Sequence, residues 1–312
     1  MKKAMSLLSK NSAFIILGVL ALLPLLGMSD YQFYMIARGL QNSLVTLSLV
    51  ILLGFTGQLS LGHAGLVAVG AYTFGIMTVN WGLSPWLALI VGPVLAGLIG
   101  VVLGVPSFKL SGPFLVVITI AFGEIIRLLI LNAEITGGPF GLRGIRPMLG
   151  RIQLYYFMLA VVALVTLLTI RLKNSFVGLA LQSIRDDEVA AEIMGVNIRK
   201  YKLIAFVISA SLAGLSGVLF ANLTGYLNPD TFTFNMSATF LLMVVMGGMT
   251  SPTGAILSSI VVTSLPEILR FLERSRMVFY GLVLFIYIRY ASSISGFFGN
   301  IFGKKKTASA DK

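Results

Sequence analysis

The stretch that decides the fold begins at Gly39 and ends at Phe108, and it reads GLQNSLVTLSLVILLGFTGQLSLGHAGLVAVGAYTFGIMTVNWGLSPWLALIVGPVLAGLIGVVLGVPSF. None of its 70 residues is Asp, Glu, Lys or Arg. A helix needs about 20 apolar residues to cross the roughly 30 Å hydrocarbon layer of a bilayer. We therefore expect three membrane spans here. The whole chain is 57% hydrophobic and 11% charged, which excludes a soluble globular protein of 312 residues.

Apolar runs without formal charge also lie outside this stretch, at 11–29, 152–170, 203–229 and 231–266. Together they predict an all-α, polytopic integral membrane protein in which residues 1–312 form a single transmembrane domain with about ten transmembrane helices. The predicted spans are 12–29, 37–55, 62–80, 86–106, 112–132, 153–171, 203–224, 236–250, 253–268 and 277–295.

Basic residues predict the orientation of these helices. Lys2, Lys3 and Lys10 precede the first span, and no small-x-small cleavage site follows it, so we expect a retained span with a cytoplasmic N-terminus. Ten crossings then leave both termini in the cytoplasm, together with the basic tail 303–312 and the loop 171–202.

Two apolar runs are interrupted by glycine, proline and hydroxyl residues, at GFTGQLSLGH (54–63) and MGGMTSPTG (246–254). Backbone that leaves a helix at membrane depth is tolerated where protein or a water-filled cavity shelters its polar groups. Paired interruptions in the two halves of a chain are typical of a translocation pathway, although each is equally compatible with a packing role.

The loop 171–202 holds 10 of the 34 charged residues, of which the whole chain has 23 basic and 11 acidic. Asp186 or Asp187 is placed to cap a short helix whose first turn contains Glu188, and Gly195 supplies a left-handed stop. The apolar side of this helix consists of Val189, Ile193 and Met194. A solvated connector also carries charges, but a capped helix with an apolar side suits docking in a groove of another protein.

The chemistry available inside the membrane is narrow. The chain has no cysteine, which excludes disulfides and thiolate metal sites, and its one histidine is His63. Glu124 is the only carboxylate well inside a predicted span, and Arg127, three residues later, is expected to pair with it. Carriers driven by protons or sodium usually need several buried carboxylates. We predict no catalytic, cofactor-binding or metal-binding residues.

The formal net charge of +12 is explained by basic residues at predicted membrane edges, where they meet anionic lipid head groups. We therefore expect contact with membrane lipid and no binding of nucleic acid. The tail sequence at Gly303 resembles the end of a phosphate-binding loop, but Phe298 replaces the first glycine and Lys305 replaces the Ser or Thr. No nucleotide site is predicted.

The sequence SFVGLALQSIRDDEVAAEIMGVNIRKYK (175–202) resembles the cytoplasmic coupling region of the LivM-type permeases of branched-chain amino acid ABC importers. GQLSLGHAG (57–65), followed by GAY (70–72), and ITGG (135–138) agree with the same family. The resemblance covers about residues 38–290. His63 within the glycine-rich motif favours this permease type over its usual partner permease.

The resemblance implies a permease subunit of an ATP-driven importer in a prokaryotic plasma (inner) membrane, not an enzyme. Its implied partners are a second homologous permease, two cytoplasmic ATPase subunits that hydrolyse the ATP, and an extracytoplasmic solute-binding protein. The residues implied in coupling to the ATPase are Arg185, Asp186, Asp187, Glu188, Glu192 and Gly195. Those implied in the translocation pathway are Gln58, Ser60, His63 and Thr136.

Two other classes share parts of this pattern. A stand-alone secondary carrier or channel for a small solute has the same hydropathy. A membrane-embedded enzyme that uses paired acids and Mg²⁺ needs a second acidic cluster besides Asp186 and Asp187, and the sequence has none. Branched-chain amino acids are the expected solutes, while urea, short amides and aromatic acids, which similar subunits carry, stay open.

Overall fold

The computed structural model of the protein describes residues 15–26, 29–107 and 113–268. They fall into two units, the first ending at Ser264 and the second beginning at Leu265. The described part of the second unit is the end of one helix, so the architecture below is that of the first unit.

The described chain is helical, with a single isolated antiparallel bridge between Leu142 and Leu227. Its α-helices are α1 (15–22), α2 (Asp30–Leu49), α3 (His63–Gly75), α4 (Pro85–Ser107), α5 (Pro113–Asn132), α6 (Arg151–Lys173), α7 (Phe176–Asp186), α8 (Glu188–Ile193), α9 (Ile198–Thr224), α10 (Phe234–Gly247) and α11 (Pro252–Ile268). Wider π-helical turns extend α2 over Val50–Phe55 and α3 over Ile76–Asn80, and short 3₁₀ turns cover Leu23–Leu26, Glu134–Thr136, Gly138–Phe140 and Pro229–Thr231.

Six of the described helices are long and apolar enough to cross a membrane, namely Asp30–Phe55, Pro85–Val105, Phe114–Asn132, Arg151–Lys173, Ile198–Thr224 and Pro229–Gly247. Each matches a predicted span. The predicted span 62–80 is also helical, and 253–268 falls on the shorter apolar α11. Part of 12–29 and all of 277–295 lie outside the described residues, so the count of ten stays a prediction.

Local sequence signals explain where several helices begin and end. Ser29 and Gln32 form a reciprocal capping box at the start of α2. Proline opens α4, α5 and α11, where its missing N–H has no helical partner to lose. Asn197 accepts a bond from the Lys200 amide at the start of α9, and Gly225, with φ of +69°, ends that helix in the left-handed conformation.

Helix α9 is central, and it packs against α2, α3 and α4 through small residues. A Cβ added to Gly70 would overlap the Gly214 carbonyl oxygen, and one added to Gly217 would overlap the Val67 carbonyl oxygen. The glycine-rich spacings of α3 and α9 are therefore packing seams, as small residues in membrane helices usually are. We call this contact the glycine seam.

Contacts between residues that are far apart in the sequence define two ends of the helix bundle. At one end, which we call the loop end, the Arg185 guanidinium contacts the Gly54 carbonyl, and α7 and α8 lie beside it. At the opposite end, Arg151 pairs with Asp30, and the bridge between Leu142 and Leu227 joins two connections.

Candidate functional site

The first predicted interruption is a non-helical segment between the two helical stretches that end at Phe55 and begin at His63. Gly57 adopts a φ of +72°, which favours glycine, and turns the chain out of the helix. The amide of Leu61 donates to the Thr119 hydroxyl at 3.1 Å, and the amide of Ala64 donates to the Ser237 hydroxyl at 3.0 Å. Side chains of α5 and α10 thus satisfy backbone groups that the interruption frees.

His63 is buried at the start of α3 and joins this segment to α9. Its Nδ1 lies 3.1 Å from the Ser60 hydroxyl, and its Nε2 lies 2.8 Å from the Ser209 hydroxyl. With both ring nitrogens occupied, His63 contributes one donor and one acceptor in its neutral form. This arrangement orders the segment but leaves no ring nitrogen for a metal ion.

Gln58 is the predicted pathway residue with unused hydrogen-bonding capacity. Its side chain is buried, its Oε1 lies 3.4 Å from the Thr56 hydroxyl, and its Nε2 has no hydrogen-bond partner among the residues that the structure describes. A buried donor without a partner is uncommon in native proteins, because leaving it unpaired costs about 1–3 kcal/mol. The amide of Gln58 is therefore available to a polar solute that comes close to the segment.

Thr136 lies far from the other three predicted pathway residues. It follows α5 at the opposite end of the bundle, where its hydroxyl donates to the carbonyl oxygens of Ile130 and Ala133 at 2.5 and 2.6 Å. The structure thus brings Gln58, Ser60 and His63 together and leaves Thr136 closing the end of a helix.

A small cavity of about 110 Å³ lies directly beside the first interruption. It is lined by Leu61, Ala64, Ile120, Gly123, Glu124, Phe232, Thr233, Phe234 and Ser237. The predicted pair of Glu124 and Arg127 is confirmed, with 2.5 Å between carboxylate and guanidinium, and Arg127 also contacts Asp230 at 3.0 Å. The only carboxylate that we expected well inside a span therefore borders this cavity with its charge balanced.

A larger cleft of about 390 Å³ lies at the opposite end of the bundle, and no predicted pathway residue lines it. Phe33, Tyr34 and Tyr155 form part of its wall, beside Asn222. One turn further along α2, the guanidinium of Arg38 lies 4.0 Å from the centre of the Phe220 ring, a cation–π contact. The predicted pathway segment and this cleft are separate features.

The short helix α8 begins at Glu188, as the charge pattern predicts. The Oδ1 of Asp187 accepts bonds from the amides of Val189 and Ala190, each at 3.0 Å, so Asp187 is the capping residue. Gly195 has a φ of +84°, the left-handed conformation expected beyond the helix end.

One face of α8 is apolar and exposed. Val189 and Ile193 are one helical turn apart, with 68% and 80% of their surfaces accessible, and Met194 follows them. Asp186 and Glu192 are exposed acidic residues of the same loop. Exposed large apolar side chains with a polar border mark surfaces that other proteins cover.

Salt bridges and hydrogen bonds attach the loop firmly to the bundle. Lys202, on α9, has a buried side chain whose ammonium lies 2.7 Å from the half-exposed Glu188 carboxylate. Arg185 donates to the Gly54 carbonyl at 2.7 Å and pairs with Asp186. The predicted coupling residues Arg185, Asp186, Asp187 and Glu188 thus lie together at the loop end, with Glu192 and Gly195 further along the same loop.

The chain matches the family model described as "Branched-chain amino acid transport system / permease component" over residues 32–288. It belongs to this permease family. The LivM protein of Escherichia coli K12, a high-affinity branched-chain amino acid transport system permease protein, is 36% identical over 78% of this chain and 64% of its own length. This chain therefore spans less than two thirds of that relative.

Two further relatives show the breadth of the permease family. The guanosine ABC transporter permease protein NupQ of Bacillus subtilis is 26% identical over 64% of this chain and 70% of its own length. The branched-chain permease protein LivH of Escherichia coli K12 is 32% identical over 33% of this chain and 35% of its own length. No solved structure matches the chain.

Sequence reasoning missed several residues of this site. Ser209, Ser237 and Thr119 satisfy the first interruption from three other helices, and Asp230 completes the pair at Arg127. The only signal for them was a hydroxyl or an acid within an apolar run, which does not identify a distant partner. Lys173, whose ammonium contacts the Thr250 carbonyl, was likewise missed.

Proposed function

We propose that this chain is the transmembrane permease subunit of an ATP-binding-cassette importer, and that with a second, homologous permease it forms the pathway for a small polar solute. Membership of the permease family and the transport functions of its relatives support this function. Branched-chain amino acids are the proposed solutes, because the LivM relative matches more of this chain at higher identity than the guanosine permease does. The relatives do not favour a stand-alone carrier or channel.

The observation that carries the proposal is the exposed apolar face of α8. A six-residue helix is too short to be stable alone, yet it is capped by Asp187 and tied to α9 through Glu188 and Lys202. These contacts present Val189 and Ile193 to the outside in a fixed position. We propose that one of two cytoplasmic ATPase subunits receives this face in a groove and supplies the energy for transport.

The same proposal includes an orientation. About ten crossings place both termini, the loop 171–202 and the basic tail 303–312 on the cytoplasmic side of a prokaryotic plasma membrane, as the excess of Lys and Arg favours. The end with Asp30 and Arg151 then faces outward, toward a solute-binding protein. Gln58, Ser60 and His63 are the proposed pathway residues, and Thr136 contributes at the outer end.

The test replaces the apolar face of α8 with charge. The double variant V189D/I193D in the assembled importer is expected to lose the ATPase subunit during affinity purification and to lose ATP-dependent uptake into proteoliposomes. The double variant is expected to fold, because both side chains are exposed in the isolated chain. The matched control is F140D, which places a charge on a residue that is 79% exposed at the opposite end and is expected to retain the ATPase. Normal ATPase retention and uptake by V189D/I193D would overturn the docking assignment.

A further inference from the structure

The two helix interruptions lie directly against each other at the loop end. The second interruption separates α10 from α11, and Gly248 turns the chain there with a φ of +87°. A Cβ added to Gly54, in the π-helical turn that leads into the first interruption, would overlap the Met249 carbonyl oxygen and come close to Thr250. Since their backbones are in contact, neither interruption can shift without moving the other or opening a gap.

At each interruption, or in the helical turn directly before it, a carbonyl oxygen accepts a bond from a basic side chain. The Arg185 guanidinium donates to the Gly54 carbonyl at 2.7 Å, and the Lys173 ammonium donates to the Thr250 carbonyl at 2.7 Å. Carbonyls where a helix ends or breaks lack their usual partners. Charged donors make stronger bonds to them than neutral donors do.

Both cations belong to one tightly joined piece of the chain. Lys173 is the last residue of α6, and its backbone carbonyl accepts a bond from the side-chain Nε2 of Gln182 at 2.9 Å. A Cβ on Gly178 would overlap the Leu172 carbonyl, so α7 lies directly against the end of α6. Arg185 is the next to last residue of α7 and adjoins the loop helix α8.

We propose that Lys173 and Arg185 act as a two-cation brace, positioning both interruptions so that they follow α7 when the partner subunit moves the loop. This inference rests on the proposed function, and it adds Lys173, which lies outside the docking face. Displacement of α8 is passed to α7 through Asp187, and from α7 to Gly54 through Arg185. The end of α6, which lies against α7, passes it to Thr250 through Lys173. The brace transmits motion, and the interruptions change the access to the pathway.

The test removes the charge of one cation and keeps most of the length of its side chain. In the reconstituted importer, K173M is expected to lower the amount of solute imported per ATP hydrolysed by about tenfold. This is the factor by which losing a hydrogen bond to a charged group shifts an equilibrium constant. K173R keeps a cationic donor and is expected to restore most of the ratio. R171M is the matched control, because Arg171 is an exposed cation near the same end of α6 that makes no ion pair with any residue in the described part of the chain.

A distance measurement separates the brace from the importer assignment. The chain contains no cysteine, so spin labels can be placed at L179C on α7 and M249C in the second interruption, both exposed positions. In the full chain the distance distribution between these labels is expected to be narrow, to broaden in K173M and to stay narrow in K173R and R171M. An unchanged distribution in K173M overturns the brace, even where the wild-type importer works. A wild-type complex without ATP-dependent uptake, with broadening still seen in K173M, overturns the importer and retains the brace.

Discussion

Replacing Asp187 with alanine separates the capping role of this residue from its charge. In the structure its Oδ1 accepts two backbone bonds of 3.0 Å, from Val189 and Ala190. D187A leaves both amides without that acceptor, while D187N keeps a side-chain oxygen at the same place and removes only the charge.

The magnitude follows from the usual cost of losing a helix cap. An Asp to Ala change at this position costs about 1 kcal/mol of helix stability, which is roughly a fivefold change in an equilibrium constant. A six-residue helix has little stability of its own, so the ordered fraction of α8 falls by up to that factor. Affinity for the ATPase subunit falls in proportion to the ordered fraction.

Two assays test the reasoning. Hydrogen exchange at the amides of residues 189 and 190 is expected to be about fivefold faster in D187A than in the wild type, and close to wild type in D187N. When the permease in nanodiscs is titrated with the ATPase subunit, the affinity is expected to be reduced in D187A and close to wild type in D187N. Equal damage by D187N and D187A would refute the capping argument, because the charge would then be the active property. Normal affinity in D187A would show that order in α8 is not needed for docking.

Three further outcomes follow from other contacts. E188A is expected to lower the thermal unfolding temperature of the detergent-solubilised chain more than K202M does, because E188A strands a buried ammonium and K202M frees a half-exposed carboxylate; the reverse order would contradict the pairing. G54A is expected to abolish recovery of monodisperse protein by size-exclusion chromatography, since its Cβ overlaps the Met249 carbonyl, whereas G123A, whose Cβ meets its nearest atom at 3.6 Å, is recovered normally. Q58M is expected to raise the unfolding temperature by removing a buried amide N–H that lacks a partner within the described ranges, and at the same time to lower solute uptake. A variant with unchanged uptake would remove Gln58 from the pathway.

Much of the local structure could be predicted from the sequence because its signals are local. Runs without charge predicted helices, and glycine and proline predicted interruptions at 54–63 and 246–254. The non-helical segments in the structure are shorter, at 57–62 and 248–251. The cap at Asp187 and the left-handed Gly195 follow from side-chain chemistry within a few residues. Such features need no knowledge of which helices are neighbours.

Contacts between helices could not be predicted in the same way. His63 meets Ser209 across 146 positions of sequence, and Lys173 meets Thr250 across 77, with no periodicity that links either pair. The distance between Thr136 and the other predicted pathway residues could likewise not be predicted from the sequence. The first interruption meets α5 at Thr119, and the Thr136 hydroxyl contacts the carbonyl of Ile130, 11 residues further along the same helix. At 1.5 Å for each helical residue, Thr136 therefore lies about 17 Å away along the bundle.

The glycine seam has a consequence for which parts of the molecule can bend. Where backbone meets backbone at Gly70 and Gly217, there are no long side chains to adopt new rotamers, and sliding would force main-chain atoms into one another. Helices α3 and α9 are therefore expected to move together as one rigid body. Flexing is left to the two glycine-bearing interruptions at the loop end, so a drug or antibody that binds between them is expected to hold the subunit in one conformation.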